Sequence, residues 1–168
     1  ALIGLVQLDG RLKSIVTPVQ ISNSNLSSLQ QDLVARAVRV STSSFSVVQI
    51  AGAETELRLH IAGAVAGQSG RYLYKLNVAR LELFSIEDLV IRWNRFARLQ
   101  DAILLVDVGD FGVGETTDKD PKLQAARSVI ELLESTVFVT SRVALAWGRE
   151  TVTFEVKRPT TLEQRELW

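Results

Sequence analysis

The chain has 168 residues, 19 basic and 19 acidic side chains, one histidine, and neither cysteine nor methionine. The lack of cysteine excludes disulfides, thiolate nucleophiles, iron–sulfur clusters and cysteine-ligated zinc. A formal net charge of zero argues against a dedicated nucleic-acid binder, which normally shows a basic excess, and no apolar run approaches the roughly 20 residues that span a bilayer.

A chain of this length can bury roughly 68–70% of its unfolded surface, enough for one core without staples. Residues 1–158 are therefore expected to form one domain, with 159–168 as a tail or short terminal helix. The chain opens at Ala1 with no signal-peptide pattern, as a processed or trimmed form would.

Apolar stretches at 2–8 and 11–20 flank Asp9-Gly10, a hairpin signal, and Pro18 confines the second strand to an edge. Polar residues 22–25 then supply helix caps, and Leu26, Leu29, Leu33, Ala37 and Val40 follow as one helical stripe. Phe45 to Ile50 reads as a strand. Leu57, Leu59, Ile61, Gly63 and Val65 alternate with Glu56, Arg58, His60, Ala62 and Ala64, and Tyr72, Tyr74, Leu76 and Val78 alternate beyond the turn at 67–70. Period-two patterning on both sides of a glycine turn predicts a long antiparallel hairpin.

Ser85 with Asp88 resembles a capping box, and Ile86, Leu89, Val90, Trp93, Phe96 and Ala97 share a helical face behind it. Residues 102–108 form an almost unbroken apolar run, as expected of a strand buried on both faces. After a Gly- and Asp-rich loop over 109–118, Asp120-Pro121 opens a helix carrying Leu123, Ala126, Val129, Ile130 and Leu133. Segments 136–147 and 151–157 read as a second hairpin around 148–150. The expected fold is α+β: a mostly antiparallel sheet with long hairpins and about three helices packed on it. In outline, the helix, strand and amphipathic hairpin over 24–84 are similar to small bacterial envelope lipoprotein domains.

Gly109 to Thr116, behind the strand ILLVDV, resembles a P-loop, G-x-x-x-x-G-K-[ST], with Glu115 where the lysine belongs. That lysine neutralises phosphate, so an anion in its place opposes nucleotide binding. Asp107, Asp110 and Asp118 offer oxygen ligands of the kind that suit calcium or magnesium, without the spacing of a helix–loop–helix calcium site. His60 lies on the polar side of its alternation, and no nucleophile elbow accompanies it. Glu131 and Glu134 look like a solvated helix edge. Arg92, Arg95 and Arg98 recur every three residues and could grip a carboxylate- or phosphate-bearing partner. Trp93 and Trp147 read as core, whereas Trp168, ending a polar tail, suits contact with a partner.

No catalytic set assembles, and no cofactor is implied. The expected function is a non-enzymatic binding or assembly protein, one subunit of a homo-oligomer or larger complex, using edge strands and the tail. The alternative is an enzyme or a nucleotide- or metal-dependent switch centred on residues 107–120.

Overall fold

The computed structural model describes residues 8–20, 26–42, 46–109 and 120–157. Their elements are α1 (Gly10–Lys13), β1 (Val16–Pro18), α2 (Ser28–Ser41), β2 (Val47–Ala51), α3 (Thr55–Gln68), β3 (Tyr72–Leu76), a 3-10 helix η1 (Val78–Leu83), α4 (Ile86–Gln100), β4 (Ala102–Gly109), α5 (Pro121–Leu132), β5 (Val137–Ser141) and β6 (Thr151–Glu155). The strands form one sheet in the order β1-β3-β4-β5-β2-β6. Only the β1–β3 pair is antiparallel; the other four pairings are parallel.

This corrects the expected fold class. The protein is α/β, with a mostly parallel sheet and about six helices, in place of an antiparallel sheet carrying three. Helices α2 and α3 cover one face with Val48, Ile50, Leu73, Ile103, Leu105 and Phe138 beneath them. On the other face α4 and α5 bury Leu104, Val106, Val137 and Val139. Strands buried on both sides read as continuous apolar runs, which is why β4 is legible as such.

Three expected hairpins give way. Asp9 accepts from the backbone N–H groups of Arg11 and Leu12, so Asp9-Gly10 caps and starts α1 instead of turning a hairpin. Residues 57–65 belong to α3, whose sides facing the sheet and α2 are both buried. Its small residues, Ala62, Gly63, Ala64 and Ala66, fit a two-residue period as well as a helical one. The outline shared with envelope lipoprotein domains falls with that hairpin. Finally, β5 and β6 do not pair; β2 lies between them, parallel to both.

Helices α4 and α5 form where expected. Ser85 Oγ accepts from Asp88 N at the start of α4, and Asp120 caps α5 ahead of Pro121. Trp93 is core, in edge-on contact with Tyr74. Trp147 is buried too, its indole Nε1 donating to Gln49 Oε1 at 2.9 Å. The same oxygen accepts from Leu145 N, while Gln49 Nε2 donates to Leu145 O and Thr153 Oγ1. This amide therefore ties β2 to β6 and to the segment linking β5 with β6.

Candidate functional site

In a doubly wound sheet, ligands gather at the carboxyl ends of strands, where successive connections leave toward opposite faces. Here β2 leads into α3 on one face, and β4 leads to α5 on the other. Between their ends lies the end of β5. Only residues 52–54 join β2 to α3. A Cβ placed on Gly52 would meet the Val156 carbonyl oxygen at 2.7 Å, so the chain leaving β6 lies directly against this turn. Glu54 and Glu56 bring negative charge to the start of α3.

The crevice is filled by the chain's own charges. Arg58, in the first turns of α3, is 1% exposed. Its guanidinium donates through Nη1 to the Gly52 carbonyl and through Nη2 to Thr55 Oγ1 at 3.2 Å. Nη2 also lies 3.9 Å from Asp107 Oδ1, an ion pair beyond hydrogen-bond reach. Asp107, near the end of β4 and 13% exposed, accepts from Thr140 Oγ1 and Gly109 N, both at 3.0 Å, and faces Lys75 Nζ at 3.8 Å. The bulge between Asp107 and Gly109 and the left-handed φ of Gly109, 48°, let the backbone turn back onto that carboxylate. Arg58 Nε has no hydrogen-bond partner among the described residues.

The other candidates separate. Asp107 is in the crevice, bound by cations and donors; Asp110, Asp118 and Trp168 lie outside the described residues, as does the P-loop-like stretch beyond Gly109. Among the described residues no group of three or more metal-ligating side chains comes together. His60 is exposed on α3. Arg92 is held by Asp88 at 2.9 Å and Asp9 at 3.0 Å, and Arg98 by Glu134 at 2.7 Å. Arg95 has no ion pair or hydrogen bond among the described residues. The arginine stripe is thus mostly satisfied within the fold. Sequence reasoning missed Arg58 altogether, because a strand reading set it on a solvated face; helical spacing from Thr55 would have put the two side by side.

No family model matches the chain, and no curated protein does. Solved structures do share its fold. In the Saccharomyces cerevisiae Hsp104:casein complex in its extended conformation, the match has a TM-score of 0.58 and 11% identity, covering 93% of this chain and 32% of that one. For C. elegans PCH-2 the values are 0.52 and 9%, covering 87% and 47%. The chain spans about a third of the first protein and about half of the second. At such identities the likeness is one of fold. No helix among the described residues is long and apolar enough to cross a membrane.

Proposed function

We propose that this chain is a non-catalytic binding or assembly domain, a subunit of a homo-oligomer or larger complex, with the ligand crevice of its fold closed by its own side chains. The observation that carries this is Arg58: a buried guanidinium, answered by Asp107, lies at the carboxyl ends of β2 and β4, where a sheet of this kind gathers its ligands. The turn at 52–54 is too short to wrap a phosphate, and Glu54 and Glu56 repel one.

Contacts would come from sheet edges and from the tail 159–168 with Trp168, beyond a domain of residues 1–158. The edges differ. Strand β1 is short and ends in Pro18, a blunted edge, whereas β6 runs Thr151–Glu155 without proline and pairs on one side only among the described residues.

The second reading, favoured by the fold likeness to proteins of the AAA+ ATPase type, is ATP-dependent complex assembly. Thermal unfolding with Mg-ATP, Mg-ADP or calcium chloride separates the two. A ligand that binds only the native state adds about 2.7 kcal/mol at a hundred times its Kd, so a binder raises the melting temperature visibly. The expected result is no rise with any of the three; a saturable rise overturns the non-catalytic reading. Sedimentation with and without residues 159–168 is expected to show an oligomer that the truncation weakens, and a monomer in both forms would count against assembly.

A further inference from the structure

We infer that the outer face of α4 docks an acidic amphipathic helix of a partner protein, one that sets a carboxylate against Arg95 and apolar side chains against Ile91 and Leu99. These three residues are spaced by four and so form one line along the helix. The inner face already supplies Leu89, Val90, Trp93, Phe96 and Ala97 to the core. Ile91 and Leu99 are surplus to it, 59% and 62% exposed. Between them Arg95 is the member of the arginine stripe left unpaired among the described residues.

The line borders a groove of about 400 Å³ lined by Ile91, Asn94, Arg95, Arg98, Leu99 and Glu134. A second cavity of about 330 Å³ shares Asn94, Arg98 and Glu134 with it. This open surface therefore offers apolar area beside a cation that is unpaired among the described residues.

The charge pattern selects the occupant. Two copies of α4 paired antiparallel about a twofold axis through Arg95 would match Ile91 with Leu99, but would set guanidinium against guanidinium. A helix with Asp or Glu at the central position and apolar residues four before and four after meets all three groups. An anionic lipid surface is attracted by a cluster of cations, and here Arg98 is already neutralised by Glu134 and Arg92 by two aspartates.

This inference rests on the binding reading only in requiring a partner; nucleotide binding in the crevice would overturn that reading and leave the α4 surface standing. The test uses the full chain and a fluorescein-labelled helical peptide of about 20 residues carrying Leu, Glu and Leu at spacings of four, followed by anisotropy. Saturable binding is expected, weakened about tenfold or more when the peptide's Glu becomes Lys. Arg95→Glu should reverse this preference, losing the Glu peptide and gaining the Lys peptide, with an unchanged melting temperature. Leu99→Ser should weaken both pairings. Equal binding of the two peptides, binding of neither, or capture by phosphatidylserine vesicles without peptide binding would each overturn the proposal.

Discussion

Arg58 and the α4 arginines carry the same guanidinium in opposite settings. Arg58 is sealed beneath the carboxyl ends of β2 and β4, where its charge is tolerable only because Asp107 and two oxygen acceptors surround it. Arg92 and Arg98 meet their acids in water, in ion pairs of the kind that add little to stability. At the crevice the guanidinium is taken up by groups of the chain itself, while on the helix surface Arg95 has no partner among the described residues.

Asp107 is the residue on which the buried Arg58 most depends. Asp107→Leu leaves Arg58 buried without its counter-charge and Thr140 and Gly109 without an acceptor, so urea unfolding should show a loss of about 3 kcal/mol. The double variant Arg58→Met with Asp107→Leu should recover most of it, since replacing both members of a buried pair by apolar side chains is often close to neutral. A double variant no more stable than the single one would mean that Asp107 acts through Lys75 or Thr140 and that Arg58 is a bystander. The neutral network behind the crevice sharpens the contrast. Gln49→Leu strands Trp147 Nε1 and Leu145 N, with an expected cost of about 2 kcal/mol and loss of the Trp147 near-ultraviolet signal. Unchanged unfolding would show that the segment between β5 and β6 is held by other contacts.

How much of this was legible depended on how local the signal was. Helix α4 announces itself through the Ser85 cap and an apolar stripe, α5 through Asp120-Pro121, and β4 through its unbroken apolar run, because each signal lies within its own element. The parallel pairings of β2 with β5 and β6 join residues about 90 to 105 positions apart, and no local pattern records them. Two neighbouring strands around a glycine turn therefore passed for a hairpin. Helix α3 failed for another reason: Ala62, Gly63, Ala64 and Ala66 are as small as both templates allow, so periodicity could not choose between them. The site followed the same rule. Asp107 stood out at the end of its strand, as a metal ligand in prospect, whereas Arg58 acquired meaning only once α3 was a helix. The glycine-rich match beginning at Gly109 follows β4, and beyond that glycine it lies outside the described residues.

The smallest expected effect concerns the exposed pairs, and it is read through pH. Partial burial pushes Asp9 up, but the backbone N–H of Leu12, then Arg92, and the N–H of Arg11 outweigh it and hold the carboxyl below its ordinary 3.8. Asp88 is also held below 3.8, chiefly by its hydrogen bond from Arg92 and further by Arg11. A carboxylate whose pKa is lower folded than unfolded binds fewer protons in the native state. Its stabilising contribution is thus present above the unfolded value and is lost as pH falls through the folded one. Acidification from neutrality should leave the contact of α1 with α4 intact until pH drops below about 4, then release it. Arg92→Gln should bring both carboxyl titrations, followed by NMR, upward toward 3.8 and flatten the acid limb of the stability profile. If the midpoints stay where they are, Arg92 is not what holds the two aspartates, and the contrast with Arg58 would then rest on burial alone.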